Sequence, residues 1–584
     1  MRELQYLNKY LKKYRSKLLL GILITIISRV FSLFTPRLIG QSLSAVENFL
    51  IDSQGSIEAL KSLMLINITI ILGATLLSGF FTFLMRQTII NVSRYIEFDL
   101  KNEIFHHYQT LTQRFYKNNR TGDLMSRISE DVSKVRMYVG PAIMYSINTI
   151  TLFICVITIM FSIAPKLSIY TLIPLPILSI TIYKLSRVIN ARSTVVQEML
   201  SKLSSFTQET FSGISVIKSY SLENNTHDKF DEIAREAKEK NMNLVRVQAW
   251  FFPLMILLIG LSNLIVIFIG GQQYINGEIE IGVLAEFIIY INMLTWPVAV
   301  VGWITSVVQQ AEASQKRINA FLNESVEIQN GKGVSQNIKG TISFKEVTLV
   351  YPETQIKALD QVSFNVENGQ TLGIIGKVGS GKSSILNLIN RFYDPDSGKV
   401  LLDGHDVKNF KLQNLRSYIG NVPQNAFLFS ETIEDNIRFG KMDASEEEVF
   451  QASKKAAIHK NIIKFKNGYK TLLGERGVTL SGGQIQRVSI ARALIKDPKI
   501  LLFDDCLSAV DTDTEEKILH NLKNYSKNKT TIIVSHRISS VKEADHIIVL
   551  EKGKIIESGK HQTLMNQQGF YFELFNKQQN EKEY

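Results

Sequence analysis

Through about the first 310 residues, long apolar runs alternate with long charged ones; beyond them the apolar positions fall into short, closely spaced groups. Six runs, Leu18–Gly40, Leu63–Met85, Pro141–Ile163, Leu167–Leu185, Phe251–Gly270 and Ile281–Trp303, approach the roughly 20 apolar residues a helix needs to cross a bilayer. The stretches 86–140 and 186–250 lack Pro/Gly clusters and keep apolar residues at helical spacing, as at Ile96, Leu100, Ile104 and Tyr108. This pattern predicts spanning helices that continue well past the membrane. Gly122 and Gly213 are the expected reversals, which places the tips of two helical hairpins near 116–131 and 205–220. Residues 324–340, with Asn330-Gly331-Lys332-Gly333, are polar and turn-forming and read as a linker. After them Thr341–Tyr351 alternates like a strand, Thr371–Ile375 is a short buried strand, and Lys382–Asn390 looks helical. Lys499–Phe503 and Thr531–Val534 are two further strands. The implied fold class is a membrane α-helical domain of six helices with long cytoplasmic extensions (1–323), then a cytoplasmic α/β domain (341–584).

Charge orients the spans. Arg2, Lys9, Lys12, Lys13, Arg15 and Lys17 precede the first, whereas Gly271–Glu280 has Glu278 and Glu280 and no Lys or Arg. The amino terminus, both long connections and the α/β half are therefore expected in the cytoplasm. The net charge of +12 is assigned to anionic lipid beside the spans, not to nucleic acid. The apolar stretch after Lys17 runs too long for a leader and lacks a small-residue cleavage site, so it reads as a span. Cys155 and Cys506 are expected to be buried thiols without a disulfide or metal role. Arg29 is read as snorkelling or paired, and Pro297 as a kink. Glu286 lies close to the outer end of its span and is expected at least as readily solvated as buried, with no assignment to substrate.

The chemistry lies in the second half. Gly376-Lys377-Val378-Gly379-Ser380-Gly381-Lys382-Ser383 follows a buried strand and opens a helix, the context that makes a phosphate-binding loop. Its glycines let backbone N–H groups turn to phosphates, and the helix adds its positive end. Lys382 is expected to reach the outer phosphates and Ser383 to ligate Mg²⁺. Asp504 and Asp505 end the strand Lys499–Phe503; the first would hold Mg²⁺ and the second would polarise an attacking water. His536, after the strand Thr531–Val534, could contact the γ-phosphate and that water. Tyr351 could stack on adenine.

Over the whole chain these residues resemble the ATP-binding cassette (ABC) transporters, specifically exporter half-transporters. Gly376–Ser383 is similar to Walker A, and the resemblance adds Ser384 to the ATP contacts. Gln424, in Val422-Pro-Gln-Asn425, resembles the Q-loop glutamine that touches Mg²⁺. Leu480-Ser481-Gly482-Gly483-Gln484 resembles the family's signature motif, which caps an ATP bound by another chain. Ile500–Asp505 looks like Walker B, Ser508–Asp511 like the D-loop, His536 like the switch histidine and Tyr351 like the A-loop aromatic. Gly474-Glu-Arg-Gly477 is similar to the exporter X-loop, and Gly122–Arg127 and Gly213–Lys218 to intracellular-loop segments. The resemblance implies ATP and Mg²⁺ as cofactors, two nucleotide domains closing head to tail on two ATP molecules, and an obligatory dimer in the cytoplasmic membrane. It implies export of a small amphipathic substrate, of multidrug type, with membrane lipids and a second half-transporter as partners and no nucleic acid.

One position departs. The family's hydrolytic residue after the Walker B aspartate is glutamate; here it is Asp505. In the family that change marks one subunit of a heterodimer with a degenerate, slow site, while an intact signature motif serves the partner's site. The alternative is a homodimeric exporter of lipid or lipid-like substrates. An ATP-gated channel and a soluble nucleic-acid ATPase remain as other classes; the six apolar spans argue against the latter.

Overall fold

The structure, a computed structural model, describes residues 2–51, 56–331, 333, 338–474, 477, 480–507 and 511–580. The chain forms two compact units. Among the described residues, the first contains six helices long and apolar enough to cross a membrane: Arg15–Ile51, Ile57–Thr110, Thr121–Ile163, Pro165–Ser212, Glu223–Ile275 and Ile281–Leu322. Each expected span falls inside one of them. At 1.5 Å per residue, the 54-residue second helix far exceeds a bilayer core of about 30 Å, so its polar half continues outside as the 3.6-residue spacing requires.

The reversals differ from expectation at one tip. Gly122 lies inside the helix Thr121–Ser126. The turns fall instead at Thr112 and Asn119, both extended, on either side of a short helix, Gln113–Asn118. A helical glycine costs only about 1 kcal/mol, so it punctuates weakly. Gly213 does separate two helices, Pro174–Ser212 and the short Ile214–Ser219.

Within the membrane unit Phe287, Tyr290, Ile291 and Leu294 of the sixth helix form the centre of an apolar cluster with Val156, Met160 and Leu167. Arg29 is paired: its Nε donates to Asn148 Oδ1 of the third span. Glu286 is not solvated; it is 5 % exposed, and the Tyr290 hydroxyl one turn on donates to its Oε1 at 2.6 Å. A neighbouring helix supplies the cover that a single-helix pattern cannot show. Gly40 and Gly282 bring the first and sixth helices into backbone contact: a Cβ on Gly282 would lie 2.0 Å from the Gly40 carbonyl oxygen. The sixth helix runs unbroken through Pro297. Nearer the cytoplasm, Arg317 Nε donates to Asp131 Oδ2 at 3.0 Å, and its Nη2 to Oδ1. Cys155 is half-buried, Cys506 fully.

The second unit takes in residues 110–120 as well as everything after Glu324. Its strands are β1 (Ile342–Tyr351), β2 (Ile356–Val366), β3 (Thr371–Gly376), β4 (Ser397–Leu402), β5 (His405–Asp406), β6 (Ile419–Val422), β7 (Ile500–Asp504), β8 (Thr530–Val534), β9 (His546–Glu551) and β10 (Lys554–Gly559). They form an antiparallel sheet in the order β2-β1-β4-β5 and a second sheet in the order β10-β9-β3-β8-β7-β6. In the second, β3, β6, β7, β8 and β9 run parallel. Their near-continuous Ile, Leu and Val content is what a strand covered on both faces requires.

Candidate active site

Four adjacent parallel strands bring the site together. Val422 of β6 pairs with Phe503 of β7, Asp504 of β7 with Val534 of β8, and Ile374 of β3 with Val534. Their carboxyl ends therefore line one edge, where an open α/β sheet binds ligands. Gln424 follows β6, Asp505 follows β7, His536 follows β8 and the glycine-rich loop follows β3.

The loop is shaped for an anion. Gly379 and Gly381 have φ of +80° and +102°, a region that favours glycine. A Cβ on Gly381 would sit 2.2 Å from the Ala358 carbonyl oxygen. The helix Lys382–Ile389 starts from Gly381, so its free N–H groups face the loop. Among the described residues Ser380 Oγ is buried without a hydrogen-bond partner, as a group awaiting a phosphate oxygen would be. Lys382 Nζ donates to the Gly376 and Lys377 carbonyls, each at 2.8 Å. Burial holds the Lys382 amine below the usual lysine range, with Asp505 and Asp504 pulling the other way. Lys377 pairs with Glu551 at 3.6 Å, and Val378 is exposed.

Ser383 Oγ donates to Asp504 Oδ1 at 2.9 Å. Burial raises the Asp504 carboxyl above its ordinary range, and nearby Asp505 adds to that. Two oxygen donors, one a half-buried carboxylate, are the hard-ligand set that suits Mg²⁺. Ser383 and Asp504 would hold the ion, and Gln424 lies on the same edge. A bound Mg²⁺ would neutralise charge developing on the outer phosphates.

Asp505 holds the centre. His536 Nδ1 lies 2.8 Å and 3.0 Å from its two carboxylate oxygens, and Gln424 Nε2 donates to Oδ2 at 3.4 Å. Its φ is +44°. Aspartate, with a short side chain that bonds locally, adopts this left-handed region more readily than longer residues do. The sequence showed the shorter side chain but not this backbone.

Tyr351 sits at the end of β1. Its hydroxyl is 2.9 Å from Ser384 Oγ, and Asn387 Nδ2 donates to it at 3.5 Å. The ring meets Tyr393 edge-on, with centroids 5.0 Å apart. Lys117, from the helix Gln113–Asn118, lies 5.7 Å from the Tyr351 ring centroid and 5.5 Å from that of Tyr393. Nothing in the spacing of the sequence joins Lys117 to Tyr351; their proximity is tertiary.

The signature segment caps a helix. Ser481 Oγ accepts from Gln484 N–H at 3.4 Å while Gln484 Oε1 accepts from Ser481 N–H at 3.0 Å, a capping box on the helix Gly482–Ile495. Leu480 is buried, and Ser481 and Gly482 are exposed with Gly483 and Gln484 partly so. The positive helix end is thus presented to solvent. Gln486, which the sequence reading missed, donates from Nε2 to the Gln424 carbonyl at 3.2 Å and links this helix to the Gln424 segment. Asp511 caps the helix Thr512–Tyr525 by accepting from Thr514 N–H at 3.0 Å. Ser508–Val510 of the D-loop segment, Glu475 and Arg476 of the X-loop segment, and Lys332 and 334–337 of the linker lie outside the described residues.

Comparison with known proteins places this geometry. Residues 18–298 match the family model described as ABC transporter transmembrane region, and residues 359–508 the one described as ABC transporter. The chain is 35 % identical over 579 residues to "Probable multidrug resistance ABC transporter ATP-binding/permease protein YheI" of Bacillus subtilis, covering 99 % of this chain and 97 % of that one. It is 32 % identical over 583 residues to "Multidrug resistance-like ATP-binding protein MdlA" of Escherichia coli, covering 99 % and 97 %. A solved structure, a bacterial Atm1-family ABC exporter with ATP bound, superposes with a TM-score of 0.81 at 25 % identity, covering 97 % of this chain and 98 % of that one. The chain belongs to the ABC exporters, cell-membrane proteins whose cytoplasmic nucleotide-binding domain hydrolyses ATP to drive transport.

Proposed function

We propose that this chain is one half of a heterodimeric exporter of small amphipathic compounds, and that the ATP held by its own glycine-rich loop turns over slowly. The observation that carries the reading is Asp505. A carboxylate one methylene short of glutamate is drawn back onto His536 and Gln424. Misplacing a catalytic group by about 1 Å costs on the order of 100-fold in rate. The ATP would rest on Gly376–Ser383, Ser384 and the Tyr351 ring, with Mg²⁺ on Ser383, Asp504 and Gln424. The exposed cap at Ser481 and Gly482 would close on the partner's ATP, where the partner supplies a glutamate. The multidrug reading draws on the names of the two relatives.

Dimerisation is supported by the second hairpin tip. The helix Ile214–Ser219 has no buried residue, and Phe211, Ile214, Val216, Tyr220 and Leu222 are exposed. Beside it runs a groove of about 620 Å³ lined by Leu203, Thr207, Phe211 and Phe230 among others. On the nucleotide domain, Phe427, Phe429, Phe439 and Met442 are exposed just beyond Gln424. Contiguous apolar patches of this kind mark interaction sites, so the tip of one subunit would dock on the other's nucleotide domain.

The test is co-purification with a candidate second half-transporter, followed by ATPase assays. Asp505→Asn is expected to lower total turnover less than twofold and the partner's Glu→Gln on the order of 100-fold. Asp505→Glu should speed the slow site while costing about 1 kcal/mol of stability at its left-handed backbone. A chain that pairs with itself, hydrolyses ATP briskly and loses that activity in Asp505→Asn is a homodimer with a competent aspartate, and the asymmetric reading ends there.

A further inference from the structure

The last helix of the chain, Phe570–Asn580, touches the nucleotide site at two places. Its first turn is fixed by Glu557 of β10, whose carboxylate accepts from the Phe570 and Tyr571 N–H groups at 2.5 Å and 3.0 Å. There the Lys377 ammonium of the glycine-rich loop lies 5.2 Å from the Phe570 ring centroid. In its last turn, Gln578 meets the segment that carries His536. Gln578 Nε2 donates to the His536 carbonyl at 2.6 Å, and its Oε1 accepts from Ile538 N–H at 2.9 Å.

That segment needs holding. His536 follows β8 and lies outside the sheet ladder, and its side chain is 46 % exposed. Its backbone is bracketed from two sides. Glu515, 2 % exposed, accepts from Arg537 Nη1 at 3.2 Å, Ser539 Oγ at 3.3 Å and Ser540 Oγ at 2.5 Å. Those contacts fix the chain on the carboxyl side of His536. Only Gln578, among the described residues, is shown bonding the His536 carbonyl. A primary amide offers one acceptor and two donors on one plane, so a single glutamine can grip both the carbonyl of residue 536 and the N–H of residue 538, as a neighbouring strand would.

We propose that Gln578 is a positioning residue for His536: the carboxy-terminal helix sets the backbone from which the imidazole reaches Asp505 and the γ-phosphate. The inference rests on the reading of His536 as the group that meets the nucleotide. It makes the final helix part of the ATP site.

The test uses the full chain in its dimer, with any partner's hydrolytic carboxylate removed so that the site on this chain's loop is read. Gln578→Ala should lower kcat about tenfold, the size of one lost hydrogen bond at the barrier, with KM for ATP within about twofold. Gln578→Glu keeps the acceptor for Ile538 and loses the donor to His536, and should also be slow. In the double variant with His536→Ala, Gln578→Ala should cause no further loss, because it acts through that histidine. Multiplying defects would mean a general structural role and overturn the proposal, as would a Gln578→Ala at full rate beside a slow His536→Ala. Should Gln578→Ala fail to fold, Gln578→Glu decides alone, and full activity there removes the clamp. A fully active His536→Ala would overturn the reading of the histidine and the clamp with it.

Discussion

The two cytoplasmic hairpin tips are built alike and finished differently. Each is a helix of six residues between long antiparallel helices, Gln113–Asn118 in one and Ile214–Ser219 in the other. The first is polar and belongs to the same compact unit as its own chain's nucleotide domain. Arg114 Nη1 donates to Glu327 Oε1 at 2.6 Å, Arg114 Nε lies 3.8 Å from Glu353 Oε2, and Lys117 approaches the Tyr351–Tyr393 pair. Glu353 in turn accepts from the Tyr393 hydroxyl at 3.1 Å, and burial with that carboxylate beside it pushes the Tyr393 phenol well above its ordinary range. The second tip is apolar and exposed. Charged, directional contacts suit a tip that stays on one domain, beside the Tyr351–Tyr393 pair. Apolar, non-directional contacts suit one that must find its cover on another subunit.

The contrast can be broken most forcefully at the second tip. Ile214→Asp with Val216→Asp places two carboxylates where apolar burial is expected. Burying each side chain is worth about 1.5–3 kcal/mol and an unpaired buried charge costs several more, so transport into inside-out vesicles should fall by more than about 100-fold. Nucleotide binding to the isolated chain should not change. Retained transport would mean that this tip is never covered.

At the first tip the effect should be smaller and of another kind. Arg114→Ala with Lys117→Ala removes two cations near Tyr351, the proposed adenine platform. The partly exposed contacts are worth roughly 0.3–0.7 kcal/mol each, so KM for ATP should rise about three- to tenfold at unchanged kcat. A change in kcat alone would assign this tip to hydrolysis and erase the difference from the second tip. The mildest change is Glu327→Gln, which keeps the shape and removes one exposed charge. Its effect on KM should stay within about twofold at low salt and vanish near 1 M salt, where the Debye length is about 3 Å. Persistence at high salt would show that Glu327 acts by packing.

The candidate nucleotide site was legible in the sequence because its chemistry is local. A strand, a loop and a helix in succession fix Gly376–Ser383, and one strand end fixes Asp504 and Asp505. The spans were legible for a similar reason, since a bilayer imposes a length. What escaped reading was tertiary. Lys117 reaches Tyr351, Gln486 reaches Gln424 and Gln578 reaches His536 across long stretches of chain, and no periodicity encodes such meetings. Glu286 was misjudged because its cover comes from another helix. Gly122 was misjudged because a helix tolerates a glycine, and the extended residues Thr112 and Asn119 carry no comparable mark.

The contact between Gly40 and Gly282 indexes the sixth helix like a pin in a keyway. Turning that helix by one residue, about 100°, would drive the Cβ of Ile281 or Val283 into the carbonyl that now sits 2.0 Å from the place a Gly282 methyl would take. Only one azimuth fits, and it aims the faces four and eight residues on, where Glu286 and Tyr290 stand. Two hydrogen atoms in place of two side chains thereby decide which way a carboxyl group looks inside a lipid bilayer.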